Sequence, residues 1–262
     1  MPNSPIGIFD SGVGGLTVLK ALRELLPSEN LIYFGDTARV PYGSKSHRTI
    51  IRYSLQNTRL LQRFKVKMVV VACNTSSAHA LDILREEFPF PVVGVVEPGA
   101  REAVKLSKTG KIGVIGTEAT IKSGAYRKAI VSLDPFCQVY HKACPLFVPL
   151  IEEGWLNDII TKQVAERYLK ELLEKNIDTL VLGCTHYPLI KEILLDICGS
   201  VKLVDSAYAV AKEVEKLLPT RSREERGSIR ILVSDKTERF ERIAKMIMEE
   251  EVEIEEVEID KE

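Results

Sequence analysis

Two cysteines, Cys73 and Cys184, each follow an apolar run and precede a polar one, in Val-Val-Val-Ala-Cys-Asn-Thr-Ser-Ser and Leu-Val-Leu-Gly-Cys-Thr-His-Tyr-Pro. A thiol between a strand and a helix lies near unpaired backbone N–H groups and the positive end of the helix dipole, which favours the thiolate. Pro188 suits the first turn of the helix expected after Cys184. An ordinary cysteine has a pKa of about 8.5, so a modest downward shift makes thiol and thiolate interchangeable near neutrality. One such cysteine alone reads as a small core side chain. Two in matching contexts point to chemistry with an acid-base group on each face of a carbon, which is what inverting a stereocentre requires.

The elements that must position these thiols are legible as apolar runs alternating with helix-period segments. Strands are predicted over 6–10, 31–34, 68–72, 92–96, 112–115, 180–182 and 229–233. Helices are predicted over 16–26, 49–64, 78–88, 161–175, 189–197, 207–218 and 237–248. Most strands are apolar along their length, as parallel strands covered on both faces should be, so an α/β fold with mainly parallel sheets is expected. Ile-Gly-Ile-Phe at 6–9 resembles Ile-Gly-Val-Ile at 112–115, and Val-Val-Ala-Cys at 70–73 resembles Val-Leu-Gly-Cys at 181–184, at offsets of 106 and 111 residues. The chain therefore reads as two similar α/β domains with the active site in the cleft between them. We expect residues 1–97 plus 207–262 to form the first domain and 98–206 the second. Residues 219–228 read as a polar connector, and the alternating acidic tail over 252–259 as an edge strand whose charges discourage pairing with another chain.

Other motifs admit competing readings. Asp10-Ser11-Gly12-Val13-Gly14-Gly15 opens a helix after the first strand, and with Asp36 invites a dinucleotide reading, but Thr17 stands where the third glycine is needed and no Walker pattern exists. We expect this loop to cradle a carboxylate or an amino acid instead. The turn-rich loop over 36–47, with Pro41-Tyr42-Gly43, should reach the same crevice. His79 and His141 read as structural, and Cys184 with His186 is too short a set for a zinc site.

Composition excludes several classes. Among 262 residues, 36 Lys and Arg balance 37 Asp and Glu, so no positive field attracts nucleic acid or an anionic membrane. The apolar runs are far shorter than the roughly 20 residues of a membrane span. No secretory signal is evident at the start, and five irregularly spaced cysteines do not form a disulfide framework, so a cytoplasmic, reduced protein is expected.

Taken together, Ile8-Phe9-Asp10-Ser11-Gly12-Val13-Gly14-Gly15, Gly35-Asp36 with Pro41-Tyr42-Gly43, Ala72-Cys73-Asn74-Thr75, Gly113-Val114-Ile115-Gly116-Thr117 and Gly183-Cys184-Thr185-His186-Tyr187-Pro188 resemble the glutamate racemases of the cofactor-independent aspartate/glutamate racemase superfamily. The resemblance spans nearly the whole chain and is least diagnostic after about residue 206. It implies interconversion of L- and D-glutamate, the D form feeding peptidoglycan synthesis, with neither pyridoxal phosphate nor metal and with no cofactor. It implies Cys73 and Cys184 as the proton donors and acceptors, Asp10 assisting the first and His186 the second, with Glu152 as a third assisting group. Substrate contacts would come from Asp10, Ser11, Tyr42, Gly43, Asn74, Thr75, Thr185 and His186, and from Thr117. A homodimer is expected by the same likeness. Aspartate as the substrate, or a non-catalytic amino-acid binding protein with two lobes, are the alternatives. No arginine falls in a motif to grip a distal carboxylate.

Overall fold

Ile-Gly-Ile-Phe-Asp is buried at every position because its strand, β1 (Ile6–Asp10), sits in the middle of a parallel sheet with helices on both faces. In the computed structural model, which describes residues 3–218, 221–222, 225–249 and 252–259, β1 is followed by α1 (Leu16–Leu25), β2 (Leu31–Gly35), α2 (His47–Gln62), β3 (Met68–Val71), α3 (Asn74–Glu87), β4 (Val92–Gly94) and α4 (Val96–Leu106). A second series continues with β5 (Lys111–Gly116), α5 (Glu118–Ser123), α6 (Ala125–Leu133), β6 (Gln138–Ala143), α7 (Phe147–Glu152), α8 (Ile159–Leu173), β7 (Thr179–Gly183), α9 (Lys191–Cys198) and β8 (Lys202–Asp205). The chain closes with α10 (Ser206–Leu217), β9 (Ile229–Val233), α11 (Glu238–Met248) and β10 (Ile254–Glu256).

The strands form two wholly parallel sheets, ordered β10-β9-β2-β1-β3-β4 and β6-β5-β7-β8. The run β2-β1-β3-β4 and the run β6-β5-β7-β8 have the same order, so the sequence likeness of the two halves is matched by topology. In each, the strand order reverses between the first strand and the third, where connections leave for opposite faces and open a crevice at the carboxyl ends. Cys73 and Cys184 stand just beyond the third strand in each case.

Alternation along the strands divides each core in two. Ile6 and Ile8 join α1, α10 and α11 on one face of the larger sheet, while Phe9, Val69 and Val71 meet α2 and α3 on the other. In the smaller sheet Ile115, Leu180 and Leu182 pack under α8 and α9, and Ile112, Val114 and Val181 under α4 and α6.

The sequence reading missed β6 and β8 and the helices α4 to α7. Both strands lie at sheet edges and are only partly buried, so neither shows the continuous apolar run of its neighbours. Val96 begins α4 instead of ending a strand: Pro98 and Gly99, which look like breakers, sit in the first turn, where a missing N–H costs nothing. β10 lies at the sheet edge, as the acidic alternation of 252–259 implied. Within the expected connector, residues 219, 220, 223 and 224 lie outside the described residues. No helix among the described residues is long and apolar enough to cross a membrane.

Candidate active site

Asp10 ends β1, and its carboxylate turns back onto its own loop, where Oδ2 accepts the backbone N–H of Gly12 at 3.1 Å and of Gly15 at 3.0 Å. The glycine loop, expected to cradle a carboxylate or an amino acid, gives two of its amides to Asp10, which is fully buried and needs partners; its Ser11 lines a cavity together with Cys73 and Cys184. Burial raises the Asp10 carboxyl above the usual carboxylate range, and the charge of His186 with the N–H groups of Gly15, Gly12 and Ser11 offsets part of that rise. Tyr33 donates to Gly12 O at 2.5 Å and pins the loop from beneath.

Cys73 is the N-cap of α3, and its thiol donates toward Ser11 Oγ at 3.8 Å. Burial and then the charge of Asp10 push this thiol up to about 12, against the pull of the Ser76 N–H and the Ser11 hydroxyl. The helix start alone predicts a lowered value. The structure corrects this, because the dipole is outweighed by desolvation and by a neighbouring carboxylate that the sequence does not place.

Cys184 has different company. Its Sγ lies 3.9 Å from His186 Nδ1, and His186 Nε2 lies 3.0 Å from Glu152 Oε1. Burial opposes the imidazolium, but the bonds to Cys184 and Glu152 outweigh it and raise His186 to about 10. The loop is held by Tyr187, whose hydroxyl donates to Cys144 O at 3.0 Å and whose ring meets Phe147 edge-on at 5.1 Å.

Ser11, Tyr42, Gly43, Cys73, Asn74, Thr75, Thr117, Glu152, Cys184, Thr185 and His186 line one cavity of about 30 Å³. The cavity adjoins a cleft of about 300 Å³ that shares Pro41, Gly43, Thr117, Val148 and Glu152 with its wall. Of the residues expected to act on substrate, Asp10 alone is absent from the lining; it stands behind Ser11 and accepts from Thr185 Oγ1 at 3.4 Å. The two units close tightly here. A Cβ on Gly14 would lie 2.5 Å from His186 Nδ1, and one on Gly43 would lie 2.5 Å from Thr117 Cβ. The hydroxyls of Thr75, Thr117 and Thr120, spaced 3.0 to 3.1 Å, join α3 to α5 across the same seam.

The loop after β2 reaches the cavity as expected, but Asp36 is its anchor. Its carboxylate accepts from Arg39 Nε at 2.7 and 2.9 Å, from Ser234 Oγ at 3.1 Å and from the Tyr42 hydroxyl. Arg39 is thereby held away from the cavity lining. His79 Nε2 donates to Ala119 O at 3.0 Å and its Nδ1 lies 2.9 Å from His47 Nδ1, while His141 lies in β6 outside the cavity lining. Among the described residues no group of three His, Cys, Asp or Glu side chains is placed to hold a metal ion.

One residue that fixes the cavity wall has no signal in the sequence. Tyr126 donates to Asn74 Oδ1 at 2.6 Å, and Asn74 Nδ2, buried in the cavity wall, has no partner among the described residues. An unpaired buried donor costs about 1–3 kcal/mol, which a ligand acceptor would recover. No local pattern announces Tyr126, which lies 52 residues from its partner.

Known proteins resemble this arrangement closely. The family model described as Asp/Glu/hydantoin racemase matches residues 11–214. The glutamate racemase of Aquifex aeolicus is 52% identical over 95% of this chain and 95% of its own length. The crystal structure of isoform RacE1 of glutamate racemase from Bacillus anthracis superposes with a TM-score of 0.96 at 37% identity, covering 98% of both chains. That of glutamate racemase from Francisella tularensis in complex with D-glutamate gives 0.93 at 40% identity, covering 99% of this chain and 98% of that one.

Proposed function

The chain belongs to the Asp/Glu/hydantoin racemase family, and from that premise we propose that it interconverts L- and D-glutamate by proton transfer between two thiols. The observation that carries this reading is that Cys73 and Cys184, at equivalent strand ends of two like-ordered sheets, line a single cavity. A thiolate on one face removes the α-hydrogen as a proton, the electron pair left on carbon delocalises into the carboxylate, and the thiol on the other face donates its proton to that carbon. One S–H bond forms as the other breaks, so the thiol and thiolate have exchanged places at the end. In the resting protein the buried Cys73 is held as the thiol, and the His186 imidazolium lies 3.9 Å from the Cys184 sulfur.

An α-hydrogen beside a carboxylate is a far weaker acid than a thiol, so the carbanion-like state needs fixed donors in a dry site. Asn74 Nδ2 and the hydroxyls of Ser11 and Thr185 are suitable donors. Glutamate is favoured over aspartate by the names that relatives at about half identity carry. In this reading the D-glutamate serves peptidoglycan synthesis in the cytoplasm. The protein works as a homodimer, which sedimentation equilibrium would check, and its two domains comprise residues 1–97 plus 207–262 and 98–206.

The deciding experiment incubates L-glutamate with the protein in deuterated water and follows the α-hydrogen by NMR and the optical rotation. Deuterium at the α-carbon with decay of rotation to zero is expected. An unchanged amino acid at high protein concentration overturns the reading, and faster turnover of L-aspartate under the same conditions replaces the substrate.

A further inference from the structure

Glu152 orients His186, and it is itself flanked by charge from the other unit. On α11 the apolar residues Phe240, Ile243, Ala244 and Ile247 face the core, which leaves Arg239 and Arg242, three positions apart, on a common outward face. That face meets the end of α7. Arg239 Nη2 binds Glu153 Oε1 at 2.6 Å, Arg239 Nη1 lies 4.0 Å from Glu152 Oε2, and Arg242 Nη2 donates to the Glu152 carbonyl at 3.4 Å. The other Glu152 oxygen is the partner of His186. The carboxylate thus spans two cations, one in the cavity and one on the outer wall.

We infer that Arg239 is a positioning residue for the racemisation reaction: from the first unit it holds Glu152 ionised and aimed at His186 in the second. The inference rests on the function proposed above and names a part of that machinery outside the cavity lining. Glu153 supports the arrangement by holding one arm of the guanidinium fork so that the other faces Glu152. Arg239 lies on α11, which packs on the larger sheet, and Glu152 on α7 beside the smaller one, so the contact crosses the seam between them.

The groups facing Glu152 from every side fix the sign of the effect. His186, with Cys184 behind it, comes from the loop after β7; Arg239 and Arg242 come from α11; Glu153 adjoins it; and Glu118 and Cys144 share its outer cleft of about 300 Å³. Burial raises the Glu152 carboxyl, and His186 and Arg239 together outweigh it, leaving the value below the ordinary carboxylate range. Removing Arg239 takes away one of the two cations, so Glu152 gains its proton at higher pH. Arg239 is half exposed, and the shift expected for such a pair is about half a pH unit.

The test compares full-length wild type, Arg239→Gln, Arg239→Lys and the control Lys236→Gln. Lys236 pairs with Glu241 on the same helix end, at 3.2 Å. The Glu152 carboxyl is titrated by carbon NMR, assigned with Glu152→Gln, and the acid limb of the racemisation profile is measured beside it. Arg239→Gln should move both midpoints up by about half a unit and lower kcat severalfold with KM little changed; Arg239→Lys should restore both midpoints, and Lys236→Gln should leave them in place. Unmoved midpoints in Arg239→Gln, a lysine variant no better than the glutamine one, or an equal shift in Lys236→Gln would each overturn the inference. The carboxyl titration needs no substrate, so it tests Arg239 even if wild type fails to act on glutamate, and that failure would count against the proposed function alone.

Discussion

The two cysteine loops begin from one plan and end with opposite electrostatics. Each thiol follows the third strand of a like-ordered sheet, and in each unit the loop after the first strand supplies a hydroxyl, Ser11 in one and Thr117 in the other. The neighbours differ in complementary ways. The first strand ends in Asp10 on the Cys73 side and in Gly116 on the Cys184 side, whereas the histidine two places after the cysteine, His186, has Thr75 as its counterpart. Cys73 caps a helix of 14 residues; Cys184 precedes a 3-10 turn of four and has no long helix at its sulfur. Where the helix dipole is weak, a charged imidazole takes its place, and where the dipole is strong, a carboxylate overrides it. A repeated scaffold thus brings two thiols to the lining of one cavity, and divergence of their neighbours sets a carboxylate beside one and an imidazole beside the other.

The severest way to break that comparison is to remove either sulfur. Cys73→Ser and Cys184→Ser should each lose racemisation by about 10²–10⁴-fold or more, since a hydroxyl is a poor acid-base substitute at neutral pH. Circular dichroism should show an unchanged fold. Comparable activity in either variant, read by polarimetry, would mean that the two sides are not partners.

His186→Asn is expected to cost about 10²-fold in kcat and to leave a distinct mark on stability. The folded value of His186 is about 10, above the ordinary histidine value of about 6.5. Its stabilisation is therefore complete below about pH 6.5 and fades as pH rises through 10. Urea unfolding of wild type and variant should differ most near pH 6, with the gap narrowing toward pH 10. A gap that widens with pH would reverse the assignment of the charge to His186.

Gly14→Ala probes the seam between the units. The added methyl would meet His186 Nδ1 and Thr185 Oγ1 at 2.5 Å, and overpacking of this kind costs about 1–3 kcal/mol. Gly14 belongs to the first unit and its neighbours to the second, so the loss should fall on the Cys184 side. A His186 midpoint displaced in Gly14→Ala, with the Cys73 thiol still titrating at its wild-type pH, is the expected NMR result. Equal displacement at both would show that the loops respond as one body.

What the sequence revealed follows the range of the forces involved. Central strands and the motifs at their ends were legible because burial on both faces writes a continuous apolar run and because Cys73, Asn74 and Thr75 adjoin one another. Edge strands such as Gln138–Ala143, with one well-buried side chain, write no such pattern. Contacts across the seam, between Gly14 and His186 or Arg239 and Glu152, join residues far apart in the chain and leave no period to read. The Cys73 thiol departs from its local expectation for the same reason: its helix is local and visible, but its burial and its neighbour Asp10 are set by the fold.

Tyr126→Phe is the finest test of the comparison, because it alters the Cys73 side through a residue of the second unit. The hydroxyl donates to Asn74 Oδ1 and so leaves Nδ2 as the group available to a ligand. Without it the Asn74 amide can turn, and the first unit loses a fixed donor. A neutral hydrogen bond contributes about 0.5–1.5 kcal/mol, so kcat/KM for glutamate should fall about 2- to 12-fold. The pH limbs should stay where they are, since no charge is removed. If Tyr126→Phe instead shifts the midpoint of His186, then Asn74 and His186 are coupled through the ligand site, and the two sides are less independent than their separate neighbours imply.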